Sequence, residues 1–190
     1  MNVGFYFKIA KTNIKNNRKI YFPYILTSIC TVMILYIVSF LANDPMIAKN
    51  FAGGATLQAL LYLGVYIIII FSALFLFYTN SFITKRRKRE FGLMSVLGMG
   101  KKNISLVMLW ENIIVNFTSI AGGLVLGLLL SKLAQGVLFH ILGVSAAPLD
   151  FSINLKDMLM TVLVFLVIFA VIFFDSIRQI TFTNTIFHQT

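Results

Sequence analysis

The sequence has little of what a water-soluble or disulfide-bonded protein needs. Only 12% of its 190 residues are charged and 59% are hydrophobic, whereas a typical soluble domain has about 25% charged and roughly 45–50% apolar residues. The single cysteine, Cys30, has no partner within the chain, which excludes an intrachain disulfide framework and a cysteine-based metal cluster. A water-soluble fold of this size could not bury so much apolar surface, so we expect lipid to cover part of it.

Acidic residues are also scarce, with 6 Asp and Glu against 16 Lys and Arg, which gives a formal net charge of +10. Clustered positive charge can indicate nucleic-acid binding. Here the basic residues lie in two blocks that flank long apolar runs, an arrangement typical of the cytoplasmic face of a membrane protein. We therefore expect the lipid bilayer as a partner and no nucleic acid.

Four apolar segments are long enough to cross a membrane, because a helix needs about 20 residues to span a hydrocarbon layer of roughly 30 Å. An open sheet could not satisfy its edge groups in lipid, so the segments should be helices. The predicted fold class is an all-α membrane protein with one transmembrane domain over residues 1–190. The predicted spans are residues 21–41, 57–83, 104–130 and 155–174.

The distribution of Lys and Arg predicts the orientation of these spans. Basic residues are concentrated before the first span and between the second and third. The other two connections contain only Lys49, with Lys132 and Lys156 at their edges. Because positively charged loops stay in the cytoplasm, we predict a multi-pass protein of the cell membrane with both termini and the middle loop cytoplasmic.

The N-terminal arm, residues 1–19, is predicted to form an amphipathic helix at the membrane surface. Val3, Phe7, Ala10 and Ile14 would share its apolar face. Lysines on an adjacent face would point toward anionic head groups. These membrane-surface residues are Lys8, Lys11, Lys15 and Lys19. The arm could serve only to fix topology, or it could also support a cytoplasmic partner, and the sequence leaves both alternatives open.

The middle loop, residues 85–102, combines positive charge with apolar side chains. A loop that only fixed topology would need its basic residues alone, yet this one also contains Phe91, Leu93, Met94, Val96 and Leu97. Glycines that follow them are suited to end a helix, because glycine takes the left-handed C-terminal conformation without steric cost. We predict a short cytoplasmic helix with exposed apolar side chains, which is typical of a docking element for a cytoplasmic protein.

The same loop resembles a family signature. Residues 87–93 and 96–101 are similar to the basic-x-x-Glu-aromatic/aliphatic-Gly-Leu…Leu-Gly-x-x-Lys signature of the FtsX-like ABC transporter permease family. In that family the signature follows the second helix of a four-helix unit, as it does here. Residues 9–19 followed by Tyr21 are similar to the bacitracin-export subgroup, which is associated with antimicrobial-peptide resistance. The resemblance covers essentially the whole chain.

The resemblance implies a non-catalytic permease subunit that couples cytoplasmic ATP hydrolysis to work outside the membrane by mechanotransmission. The middle loop would act as a coupling helix on a separate ABC ATPase, present in two copies. That ATPase would bind ATP and Mg²⁺, and this chain would bind no cofactor or metal. The predicted docking residues are Arg89, Glu90, Phe91, Gly92, Leu93, Met94, Leu97 and Gly98.

Members of the bacitracin-export subgroup have more helices and a large extracellular domain, and neither is present in this sequence. The resemblance therefore predicts that the chain is the N-terminal portion of a longer permease. The remainder of that permease, or a second permease half, would be a partner. Resistance to antimicrobial peptides, or their sensing through a membrane histidine kinase, is the function that the subgroup implies.

Small residues recur every four positions on the third span, and they are Ser119, Gly123, Gly127 and Ser131. Such a strip lets another helix backbone approach closely. The sequence favours packing within the chain, with a dimer contact as the alternative.

Glu111 lies inside the third span, where an ionisable residue is costly and is commonly functional. Its proximity to Lys101 and Lys102 favours a simpler interpretation, a carboxylate that reaches the cytoplasmic interface. Asn154 and Asp157 resemble a helix-capping box at the start of the fourth span.

Two other classes of function remain as alternatives. A membrane-embedded enzyme, such as a lipid-modifying transferase, would need titratable side chains gathered near one membrane face. Glu111, Asp175 and His140 are predicted to lie at different depths instead. A small channel or scaffold would need a polar stripe along a span, and the spans offer little beyond Ser, Thr and Asn.

Overall fold

Every described secondary-structure element of the chain is an α-helix, as the sequence predicted. The computed structural model describes residues 3–50, 53–96, 98, 100–141 and 154–183. The helices are α1 (Val3–Asn16), α2 (Arg18–Ala42), α3 (Pro45–Asn50), α4 (Gly54–Val96), α5 (Lys101–Ile141) and α6 (Leu155–Thr183).

Four of these helices are long and apolar enough to cross a membrane, which confirms the predicted number of spans. The qualifying segments are Arg18–Ala42, Gly54–Arg87, Asn103–Ile141 and Leu155–Arg178. Between 17% and 39% of the most apolar window of each is buried inside the structure. The rest of that apolar surface is not covered by the described residues, so it is available to lipid or to further helices.

The second spanning helix is longer than expected. α4 runs without a break from Gly54 to Val96, so the predicted short coupling helix is not a separate element but the last turns of α4. The basic stretch that was expected to end the span is rich in Arg and Lys, which are strong helix formers. Two residues beyond α4, Gly98 has a φ of 88°, the left-handed conformation that commonly follows a helix C-terminus.

The packing divides the chain into two compact units, each of which takes parts of all four spanning helices. The first unit consists of Met1–Leu26, Leu74–Thr118 and Leu166–Thr190. The second unit consists of Thr27–Ala73 and Ser119–Phe165.

In the second unit the strip of small residues on α5 lies against α2. A Cβ atom added to Gly123 would be 2.5 Å from Cβ of Val32 and 2.9 Å from the carbonyl oxygen of Ile29. A Cβ added to Gly127 would be 3.0 Å from the ring of Tyr36. Ser119 and Ser131, at the ends of the strip, are buried. The strip therefore makes a helix contact within this chain.

The start of α6, also in the second unit, differs from the predicted capping box. The backbone N–H of Asp157 donates to the carbonyl oxygen of Asn154 over 3.2 Å. The Asp157 carboxylate is buried and accepts a hydrogen bond of 2.6 Å from Nδ2 of Asn43. Asp157 thus links α6 to the residue that follows α2, and among the described residues it makes no bond back to Asn154.

Candidate functional site

In the first unit, α1 packs against α5 through one face of its helix. The Tyr6 hydroxyl donates to Oδ1 of Asn103 over 2.9 Å, and the Phe7 ring meets Trp110 edge-on with 5.5 Å between ring centroids. Ala10 is fully buried. Since Ala10 was predicted to face lipid, this is a correction: the protein-facing side of α1 includes it.

The four lysines predicted at the membrane surface are all exposed. They form an exposed basic stripe along α1 and the first turn of α2, beside the face that carries Tyr6 and Ala10. The stripe therefore remains available to a charged surface while α1 is held by α5.

A buried ion pair lies at the centre of the first unit. Glu111 of α5 is 4% exposed and Arg87 of α4 is 2% exposed. Nη1 of Arg87 donates to Oε2 of Glu111, and Nη2 donates to Oε1 over 3.0 Å. Two parallel bonds between a planar guanidinium and a carboxylate make a strong and directional contact. The expectation that Glu111 reaches water near Lys101 is therefore wrong, because its carboxylate has a buried cationic partner.

Two further donors hold the Glu111 carboxylate. Nδ2 of Asn13, on α1, donates to Oε1 over 3.0 Å. The Tyr21 hydroxyl, on α2, donates to Oε2 over 3.1 Å and also accepts a bond from Nη1 of Arg87. The charge of Glu111 is thus compensated by one cation and two neutral donors, as a buried carboxylate requires. The contacts connect α1, α2, α4 and α5 around one side chain.

A second carboxylate shares the same guanidinium. Nε of Arg87 donates to Oε2 of Glu90 over 3.2 Å. Nδ2 of Asn17, between α1 and α2, lies 3.1 Å and 3.2 Å from the two carboxylate oxygens of Glu90. Glu90 is one of the predicted docking residues, and the structure holds its carboxylate within the first unit. We call Asn13, Asn17, Tyr21, Arg87, Glu90 and Glu111 the polar network.

A cavity of about 30 Å³ adjoins the polar network. Its lining includes Thr84 and Asn112 together with Asn80 and Ser176, and Nδ2 of Asn80 donates to Oγ of Ser176 over 2.6 Å. That bond adds α6 to the helices that meet here. A polar cavity of this volume is large enough for one or two water molecules, since one water needs roughly 10–15 Å³ of such space.

The remaining predicted docking residues lie at and beyond the end of α4. Gly92, Leu93 and Gly98 are exposed, and Leu93 keeps 66% of its accessible surface. Val96, the last residue of α4, keeps 85%. The side chains of Arg89, Phe91 and Met94, and Leu97 as a whole, lie outside the described residues. The described part of this segment thus presents apolar side chains that no described residue covers.

Comparison with known proteins places this arrangement in a family. Residues 62–185 match the family described as FtsX-like permease C-terminal. The chain belongs to the FtsX-like permease family. Together with the four apolar helices, this makes it a multi-pass membrane protein. The matched region contains Arg87, Glu90 and Glu111, whereas Asn13 and Tyr21 precede it, so the polar network ties the matched helices to α1 and α2.

Several curated permeases are similar to this FtsX-like chain. It is 31% identical over 173 residues to the uncharacterized ABC transporter permease YvcS of Bacillus subtilis strain 168, covering 90% of the chain and 27% of that protein. It is 31% identical over 185 residues to the bacitracin export permease BceB of Halalkalibacterium halodurans, covering 94% and 28%. It is 33% identical over 176 residues to BceB of Bacillus subtilis, covering 90% and 26%. The chain spans about a quarter of the length of these relatives.

Proposed function

We propose that this FtsX-like chain forms part of the permease of an ABC transporter and that the end of α4 docks on a separate cytoplasmic ATPase. The observation that carries the proposal is the continuation of α4 beyond its apolar span, with exposed Leu93 and Val96 on its last turns. Apolar side chains on a helix end, next to basic residues, suit a groove on a cytoplasmic protein.

The proposed orientation puts both termini and the α4–α5 connection in the cytoplasm, because Lys and Arg are concentrated there in the sequence. α4 would then carry displacement from the ATPase into the membrane. A helix of 43 residues is about 65 Å long at 1.5 Å per residue, and its internal hydrogen bonds make it a stiff element. This supports transport by mechanotransmission in the cell membrane.

The chain itself would be non-catalytic, and ATP and Mg²⁺ would be bound by two copies of the ATPase. Glu111 would be the natural acid of a lipid-modifying enzyme, the alternative function. Both of its carboxylate oxygens accept hydrogen bonds inside the polar network, which favours a structural role in transport.

Bacitracin-like antimicrobial peptides are the proposed cargo, because two of the relatives are named bacitracin export permeases. The remainder of a longer permease, or a second permease half, would complete the transmembrane path. A membrane histidine kinase would be a further partner if the system also senses the peptide. The exposed basic stripe of α1 would lie at the anionic cytoplasmic leaflet, where each Lys or Arg contributes about 1 kcal/mol to the free energy of membrane binding.

Replacing Leu93 and Val96 together with aspartate should reduce co-purification of the ATPase with the full-length permease at least about tenfold, because the new charges would be buried in an apolar contact. The measurement is the ratio of ATPase to permease after affinity purification from membranes. Ile141→Asp is the matched control, since Ile141 is an exposed apolar residue at the last position of α5, at the end of that helix opposite the proposed cytoplasmic face. An unchanged ratio in the Leu93 and Val96 variant would refute docking through this segment.

A further inference from the structure

Arg87 lies at the boundary between the apolar span of α4 and the segment proposed to dock on the ATPase. We propose that Arg87 and Glu111 are positioning residues that pass movement of the α4 end sideways into α5, α1 and α2. This inference rests on the proposed docking function and goes beyond it, because docking alone requires only the exposed side chains of α4.

Among the described side chains of the last turns of α4, Arg87 and Glu90 bond to neighbouring parts of the first unit. Among the described side chains from residue 85 onward, Arg87 is buried and Glu90 half-buried, whereas Lys85, Leu93 and Val96 are exposed. A sideways displacement applied at Leu93 would therefore reach neighbouring helices through Arg87 and Glu90. Loss of these bonds would remove the described hydrogen bonds between the last turns of α4 and α5.

The ion pair is suited to transmit a displacement because it is directional and enclosed. Its guanidinium makes parallel bonds to Glu111, so rotation or sliding of Arg87 breaks both. The pair is buried, so solvent and salt screen it little. Asn13 and Tyr21 donate hydrogen bonds to the same carboxylate. Movement of Glu111 would therefore also displace α1 and α2.

The polar network also offers Arg87 a second arrangement. Its guanidinium is shared between Glu111 on α5 and Glu90 on its own helix, and Asn17 keeps a donor on Glu90. The adjoining polar cavity of about 30 Å³ has room for water that would solvate Glu111 if the pair opened. Glu90 would thus still hold the guanidinium if the bonds to Glu111 opened.

The decisive variant replaces both partners, Arg87→Gln with Glu111→Gln, in the full-length permease co-expressed with its ATPase. Removing both charges leaves no unpaired ion in the interior, so the protein should still accumulate. The matched control is Arg178→Gln with Asp175→Asn. Those two residues also form an ion pair, at 4.0 Å, but within one helix and with Arg178 exposed.

Two readouts separate docking from coupling. The first is the ratio of ATPase to permease after purification. The second is the distance between spin labels on Ile113→Cys of α5 and Val171→Cys of α6, both exposed positions, in a Cys30→Ser background. This distance is measured with and without ATP plus vanadate. The parent and the control should show a nucleotide-dependent change, and the Arg87 and Glu111 double variant should keep the ATPase but lose more than half of that change.

A full distance change in the double variant would overturn the inference, and so would a parent complex that binds the ATPase without any change at α5. A parent that does not retain the ATPase would instead refute the proposed function. If the double variant does not accumulate in the membrane, Arg87→Lys is used in its place. It keeps the buried charge but cannot form the bidentate contact, so it should also lose more than half of the change, and a full change would contradict the inference.

Discussion

Replacing Arg87 with methionine should lower the free energy of unfolding by about 3–5 kcal/mol, because the change leaves the buried Glu111 carboxylate without a cation. Asn13 and Tyr21 would still donate to Glu111, but neutral donors do not replace a buried positive charge. The measurement is the unfolding of the full-length permease purified in detergent, followed by titration with a denaturing detergent. We therefore expect the loss of stability that is typical of a buried residue, although Arg87 stands within a run of Lys and Arg residues that would ordinarily be exposed.

Two further variants distinguish the buried pair from general loss of positive charge. Arg87→Met combined with Glu111→Leu should recover much of the lost stability, since no isolated charge then remains inside. Arg178→Met removes an exposed cation that lies 4.0 Å from the half-buried carboxylate of Asp175, and a pair whose cation is exposed to solvent contributes only about 0–1 kcal/mol. Equal stability of Arg87→Met and Arg178→Met would contradict the burial of the ion pair.

The positions of the spans could be predicted because lipid imposes a length on an apolar helix. The expected first span, residues 21–41, falls within α2 (Arg18–Ala42), which ends one residue after the predicted bound. The end of α4 could not be predicted in the same way. Hydropathy indicates where a helix leaves the hydrocarbon layer, whereas Arg and Lys after that point continue the helix.

The contacts of the polar network could not be predicted from the sequence, for a different reason. The position of Glu111 inside a predicted span indicated that its carboxylate needs a special environment. It did not indicate which residues supply that environment. Arg87 is 24 residues away from it on another helix, and Asn13 is 98 residues away. Arg87 stands in a run of five basic residues, so its sequence context suggested only a topology determinant. Among the described side chains of this run, Arg87 faces inward whereas Lys85 and Arg86 are exposed, and this difference is set by the rotation of α4, which follows from packing.

One pattern in α1 was nevertheless visible in the sequence. Tyr6, Ala10 and Asn13 of α1, with Asn17 one residue beyond its end, recur at intervals of four, three and four residues, which is the spacing of one helix face. The face contains two asparagines, so a search for apolar side chains favoured the adjacent face with Val3 and Ile14 instead. An asparagine on a helix beside a membrane span needs a hydrogen-bond partner for its amide. When it shares a face with a small residue such as Ala10, that face is expected to contact protein.

Replacing Gly123 with alanine should destabilise the protein, by about 1–3 kcal/mol as is typical of overpacking. The added Cβ would lie 2.5 Å from Cβ of Val32, with the backbone oxygen of Ile29 at 2.9 Å, so α2 and α5 would have to move apart. The same substitution usually favours a helix by about 1 kcal/mol, because alanine is a better helix former than glycine. A loss of stability would therefore indicate the contact with α2, whereas a gain would indicate its absence. The unfolding free energy is measured by the same detergent titration as for the Arg87 variants.

Gly136→Ala is the matched control, since Gly136 lies on the same helix and no described heavy atom beyond its own helix backbone lies within 4 Å of an added Cβ. It should be neutral or slightly stabilising. The opposite signs of the two variants would show that the small-residue strip is used within the chain. If Gly123→Ala were as stable as Gly136→Ala, the strip would not contact α2 and would be open to a helix of another chain.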